Sequence, residues 1–114
     1  MVATEAELSV KLKSGKIFGL AGLWRSVKIE EKPVTSAAII TTEPNGLVGS
    51  IHNRMPVILS EKELKIWLNP GVKEFSLLHS LLDPYPAKEM EMYPVSTLVN
   101  NGRNDTPACI EPVV

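Results

Sequence analysis

The run from Lys16 to Trp24 (KIFGLAGLW) limits the fold more than any other stretch, because it is nearly continuous in apolar residues while Gly19, Ala21 and Gly22 leave it little side-chain bulk. Such a run suits a central strand that another backbone approaches closely, or one that bends where a sheet curves. Upstream, Glu7 to Lys13 alternates, with Leu8, Val10 and Leu12 on one face and Ser9, Lys11 and Lys13 on the other. That period of two marks a half-buried strand, and Ser14-Gly15 then reads as a hairpin turn. Residues 25 to 33 (RSVKIEEKP) are polar and charged and end in Pro33, so a loop is expected there. Thr35 to Thr42 (TSAAIITT) is rich in β-branched residues and is expected as a third strand.

The middle of the chain turns helical. Glu43-Pro44-Asn45-Gly46 carries strong turn chemistry, and Leu47, Val48 and Ile51 sit at offsets that one or two helical turns would bury together. His52 follows, and Met55 to Leu59 (MPVIL) reads as a short strand with Pro56 at its start or on an edge. Ser60-Glu61-Lys62-Glu63 has the form of a capping box, with Ser60 as N-cap, Glu63 three positions into the helix, and Leu59 and Leu64 as the hydrophobic staple. A helix is expected to run to about Leu68 and to stop at Asn69-Pro70-Gly71. A second is expected over Val72 to Leu82, with Val72, Phe75, His79 and Leu82 on one side. Five of the nine prolines lie between residues 84 and 112, which makes regular helix scarce in the tail. Met90 to Thr97 can still form an interrupted strand there, and residues 100 to 105 (NNGRND) form a turn. The reading is a single α+β domain over residues 1–114, with a mixed or antiparallel sheet and two to three short helices.

Composition narrows the function. At 114 residues, 44% apolar and 22% charged, the chain is neither disordered nor a multidomain enzyme, and a domain of this size can hold one core without disulfides or a structural metal. The single cysteine, Cys109, cannot form an intramolecular bridge, and no run approaches the roughly 20 apolar residues of a membrane span. The first seven residues, MVATEAE, place acids where a secretion signal would carry lysines, so a reducing, cytoplasmic setting is expected. Twelve basic residues stand against thirteen acidic ones, which lacks the basic excess of a self-sufficient nucleic-acid binder. The first 57 residues hold seven Lys/Arg against five Asp/Glu and the rest five against eight, a mild asymmetry that a solvated surface explains as well as a DNA-facing side.

Few residues could carry chemistry. His52, His79 and Cys109 stand 27 and 30 residues apart without the local doublet of a zinc site, so no metal or other cofactor is expected. KIFGLAGLW lacks the spacing and the lysine of a phosphate loop. Cys109 lies between Thr106-Pro107-Ala108 and Ile110, a setting for a small packed residue rather than an activated thiolate. His79 lies on the apolar side of an expected helix, where an imidazole is more often held within or beside the core. His52 differs, because Ile51-His52-Asn53-Arg54-Met55-Pro56 sets an imidazole and a guanidinium two residues apart on a loop between two elements. There an arginine can hold a phosphate bidentately while a histidine exchanges protons, or both can cap backbone carbonyls.

Five stretches together resemble the SRAP family, the SOS-response-associated peptidases that process abasic sites. They are FGLAGLW (18 to 24), IITTEPNGLVGSIHNRMPVIL (39 to 59), WLNP (67 to 70), LLDPYPAKEMEMYPVSTLVNN (81 to 101) and RNDTPACIEPV (103 to 113). The pairing of the IHxRMP segment with VNNxRND is specific to the family. The resemblance implies half of a larger β-rich domain and a sensor of abasic sites in single-stranded DNA. Family members couple to the lesion through a cysteine directly after the initiator methionine, whose thiol and α-amine condense with the opened sugar to a thiazolidine. By resemblance His52 is catalytic and assists proton transfer, while Thr41 and Arg54 contact DNA near the lesion.

A thiazolidine needs an amine and a thiol on adjacent carbons. The sequence begins Met1-Val2, the nitrogen of Cys109 is tied up in an amide, and the resemblance covers only the C-terminal half of the domain. Arg25 also follows Trp24 where many members carry an acid. The expectation is therefore DNA contact without covalent coupling by this chain alone. A site completed by a separate N-terminal chain, and a non-catalytic interaction module that self-associates as a homodimer, are the alternatives.

Overall fold

The computed structural model describes residues 7–113, which form eight short strands and two α-helices, a mixed α+β fold. Every ladder among them is antiparallel and two-stranded. The chain divides into two compact units, one joining the described residues through Gly15 to those from Lys88 onward, the other spanning Lys16–Ala87.

In the first unit, β1 (Glu7–Leu12) pairs along its whole length with β8 (Met90–Val95), from Glu7 opposite Val95 to Leu12 opposite Met90. Strands over β1 and within the stretch from Met90 to Thr97 are as read from sequence, although Leu8 on the apolar face of β1 is exposed and β8 stops at Val95; the Ser14-Gly15 hairpin is not as read. Gly15 takes a positive φ of 76° and its N–H donates to the Leu12 carbonyl at 2.9 Å, so a turn is present. It closes no hairpin, because the partner of β1 lies about 80 residues further along the chain. Leu12, Met90, Val95 and Cys109 are buried in this unit. The Cys109 thiol lies 3.8 Å from the Asn104 carbonyl, the packed position that its apolar neighbours suggest.

The second unit is organised around a junction of three chain passes. KIFGLAGLW does not form one strand: β2 (Gly19–Leu20) pairs with β7 (Ile58–Leu59), whereas β3 (Gly22–Ile29) pairs with β4 (Lys32–Ile39). The other two runs break likewise, with β5 (Thr41–Thr42) after Ile40 and β6 (Met55–Pro56) before Val57, and β5 pairs with β6. Each break lies at a residue that trades backbone hydrogen bonds with the other two. Ala21 N–H donates to the Val57 carbonyl, Val57 N–H to that of Ile40, and Ile40 N–H to that of Ala21, each at 2.9 Å. Every backbone group used in this ring is satisfied in the interior without extending a ladder.

Ala21 and Val57 are fully buried, and they cluster with Leu59 and Leu81 against Ile40, Leu64, Ile66, Trp67 and Leu82. A Cβ at Gly19 would stand 2.9 Å from Leu64 Cδ1, and one at Gly22 3.2 Å from the Ala38 carbonyl oxygen. The small residues of the run therefore serve the close approach that their size suggested.

The loop expected over residues 25 to 33 is instead the distal part of the β3–β4 hairpin, with Arg25 opposite Ser36 and Ile29 opposite Lys32. Glu30 and Glu31 turn the corner with φ of 51° and 65°, the left-handed pair of a tight two-residue turn. No glycine or asparagine announces that turn in the sequence, and the strands look polar because both faces are largely exposed.

Helix α1 (Glu61–Trp67) begins as expected. Glu63 N–H donates to Ser60 Oγ at 3.2 Å while Ser60 N–H donates to Glu63 Oε1 at 2.9 Å, an arrangement worth about 1 kcal/mol to a helix start. Helix α2 (Phe75–Ser80) is shorter than the stretch read from Val72 to Leu82. His79 is exposed there rather than set beside the core, with its ring 5.5 Å from that of Phe75.

Candidate nucleic-acid interface

The junction fixes where the loop residues emerge. Thr41 follows Ile40 directly, and Met55 and Pro56 lead into Val57, so the short β5–β6 ladder (Thr41 opposite Pro56, Thr42 opposite Met55) is anchored at one end in the core. Met55 is itself buried, whereas Thr41 and every residue from Ile51 to Arg54 are exposed.

Between the two strands, the chain is organised by Asn45. Its side-chain carbonyl accepts from the N–H groups of Leu47 (3.1 Å) and Val48 (2.9 Å), and its amide donates to the Tyr85 carbonyl at 2.7 Å. The Asn45 N–H also donates to the sulfur of Met55 at 3.3 Å. These bonds start the one-turn 3₁₀ helix Val48–Ser50, and His52 N–H then donates to the Val48 carbonyl at 2.9 Å. The Pro-Asn-Gly sequence signals the turn, but nothing in it signals the tie to Tyr85, 40 residues away.

Two of the three sequence-predicted residues meet. Arg54 Nη2 donates to the Thr41 carbonyl at 2.9 Å and to Thr41 Oγ1 at 3.2 Å, and Nε reaches Oγ1 at 3.4 Å. A guanidinium has five N–H donors in one plane, so these contacts fix its orientation and leave the two hydrogens of Nη1 with no partner among the described residues. His52 lies two residues before Arg54 on the same exposed segment. Among the described residues no side-chain hydrogen bond holds its imidazole, so the backbone capping weighed for it is not made, while Arg54 does cap the Thr41 carbonyl. The arrangement offers an outward cation braced on Thr41, with an exposed histidine two residues earlier on the same segment. A guanidinium so held suits an oxyanion ligand, and an imidazole can exchange protons near neutral pH.

Cys109 belongs to the other compact unit and is buried. No group of three or more His, Cys, Asp or Glu among the described residues is placed to hold a metal ion. No helix among them is long and apolar enough to cross a membrane.

The fold is thus α+β with short antiparallel ladders, and it exposes the Arg54–Thr41 pair and His52 on the segment that follows the 3₁₀ turn. The chain belongs to the SOS response associated peptidase (SRAP) family, whose model matches residues 4–102. It is 46% identical over 109 residues to the abasic site processing protein YoqW of Bacillus subtilis, an alignment that covers 95% of this chain and 49% of that protein. It is 36% identical over 100 residues to the abasic site processing protein HMCES of Gallus gallus, covering 83% of this chain and 28% of that protein. A crystal structure of a Bacteroides thetaiotaomicron protein superimposes with a TM-score of 0.85 at 26% identity, covering 98% of this chain and 50% of its own. The chain thus spans about half the length, or less, of the relatives it matches.

Proposed function

We propose that these residues form the part of an abasic-site-processing protein that meets single-stranded DNA. Arg54, braced by Thr41, takes a backbone phosphate beside the lesion, and His52 gives and takes protons at the opened sugar. The observation that carries this reading is the guanidinium held at 2.9 Å on the Thr41 carbonyl with Nη1 left outward on an exposed surface. A side chain already fixed loses less freedom on binding than a free one. The names of the relatives, abasic site processing proteins, supply the substrate class.

The contact made by these 114 residues is non-covalent. Their one cysteine is internal, with its backbone N–H donated to the Thr106 carbonyl at 3.0 Å, so it lacks the free vicinal amine that closes a thiazolidine. A role on DNA also suits the reducing, cytoplasmic setting expected of a chain with one unpaired thiol.

Arg54→Ala is expected to weaken binding to a labelled single strand and to lower the slope of log K against log salt by about 0.7, the share of one phosphate contact on single-stranded DNA. His52→Ala leaves affinity nearly unchanged. A fluorescence-anisotropy titration across salt concentrations measures both, and identical slopes for parent and Arg54→Ala would refute the phosphate contact. The Arg54–Thr41 hydrogen bonds also support a second reading, in which Arg54 only ties its segment to β5. In that case Arg54→Ala lowers the melting temperature and leaves DNA binding alone.

A further inference from the structure

Glu43 stands where a partner for Arg54 would be expected. The β5–β6 ladder pairs Thr41 with Pro56 and Thr42 with Met55, and one more step in the same register sets Glu43 opposite Arg54. Burial follows the alternation of the two strands: Met55 is buried and Thr42 half-buried, while Thr41, Glu43 and Arg54 are exposed. Glu43 and Arg54 therefore share the outer face with Thr41. Opposite charges that face each other across two strands stabilise one another by pairing. Here they do not pair. Arg54 spends Nε and Nη2 on Thr41, its diagonal neighbour, and among the described residues neither a salt bridge nor a hydrogen bond holds the Glu43 carboxylate. An ionised carboxylate only accepts hydrogen bonds, so a ligand that engages both groups brings an anion to Arg54 and a hydroxyl or amide donor to Glu43.

A nucleotide without its base meets that requirement. In its ring-closed form it bears a hydroxyl at C1′, where an intact nucleotide bears the nitrogen of its base. Its phosphate lies about as far from that hydroxyl as facing residues stand apart on a ladder, roughly 5 Å between Cβ atoms. Thr41 Oγ1 already accepts from Arg54, which leaves the Glu43 carboxylate as the strong acceptor nearest in register. Building on the reading of Arg54 as a phosphate contact, we infer that Glu43 is a specificity-determining residue: its carboxylate accepts from the C1′ hydroxyl of the nucleotide whose phosphate Arg54 holds. The same charge disfavours an intact strand, which brings a phosphate close with no hydroxyl to offset the repulsion. Affinity and choice are thus divided between two residues. Arg54 attracts any single strand, and Glu43 selects the one that carries the lesion.

The test compares labelled single strands of one sequence: intact, with one abasic site, and with one tetrahydrofuran spacer, which keeps the sugar ring but lacks the C1′ hydroxyl. Fluorescence anisotropy at one salt concentration gives the affinities. The parent chain is expected to bind the abasic strand about tenfold more tightly than the spacer strand, the effect of one hydrogen bond to a charged group. Glu43→Ala should bring those two affinities within about twofold and strengthen binding to the intact strand, whereas Glu31→Ala at the hairpin tip leaves the ratio where it was. Arg54→Ala should weaken binding to every strand alike. Glu43 is exposed, so its replacement leaves the core intact, which a thermal melt checks. Equal affinity of the parent for the abasic and spacer strands, or a preference that survives Glu43→Ala, would overturn the inference and leave the phosphate contact standing. Binding to none of the strands would overturn both.

Discussion

Val57→Asp is expected to abolish the cooperative unfolding transition of residues 16–87. Val57 is fully buried at the three-pass junction, among Ala21, Leu59 and Leu81 with Ile40 and Leu64 packed against them, and none of these side chains can offer a counter-charge or a hydrogen bond. An unpaired carboxylate in such a place costs about 4 kcal/mol or more, a large share of the roughly 5 to 15 kcal/mol that holds a domain of this size. Val57→Ala provides the graded comparison. It removes two methyl groups from the same spot and costs about 2 kcal/mol plus a cavity contribution, so it should melt cooperatively at a lower temperature. Thermal melts followed by circular dichroism check both. An aspartate variant that melts within a few degrees of the parent would mean that Val57 reaches solvent and that the junction is not the centre of the core.

Asn45→Ala is expected to loosen the site without dissolving the fold. The substitution deletes three hydrogen bonds and leaves the Tyr85 carbonyl and two N–H groups of the 3₁₀ turn without their side-chain partner. At about 1 kcal/mol net for each bond, the loss is about 2 to 3 kcal/mol. Because His52 N–H is held by the Val48 carbonyl at the end of that turn, the amides of Ile51 and His52 should lose hydrogen-exchange protection ahead of those in α1. Asn45→Asp keeps the acceptor for Leu47 and Val48 but loses the donor to Tyr85, so it should fall between parent and alanine variant. Unchanged protection at Ile51 and His52 in the alanine variant would show that Asn45 does not position this segment.

Local chemistry was legible in the sequence, and partner choice was not. The capping box at Ser60 and Glu63 stands as read, and the strand character of β1 and of the stretch after Met90 does too, all resting on residues close together in sequence, although the burial of β1 does not alternate and β8 ends at Val95. The antiparallel α+β class followed from the same signals, with two α-helices where two to three were expected. The errors have separate physical origins. Ala21, Ile40 and Val57 are small or β-branched apolar residues inside apolar runs, so nothing local marks them as the points where a strand exchanges one partner for another. The hairpin turn at Glu30 and Glu31 was hidden because glutamates occupy left-handed positions that glycine or asparagine usually fills. Its strands were hidden because solvent, not core, faces most of their side chains. At the site, the placing of His52 and Arg54 on one exposed segment followed from sequence spacing. The meeting of Arg54 with Thr41, thirteen residues away, needed the β5–β6 ladder to bring them together.

A role at abasic DNA is tested most directly by the affinity of this chain for a labelled single strand carrying one abasic site, against the same strand intact and at one stated salt concentration. The expected result is tighter binding to the lesion strand, in a complex that denaturant separates into unmodified protein and DNA by intact mass. Equal affinity for both strands, binding to neither, or an adduct that survives denaturant would contradict it.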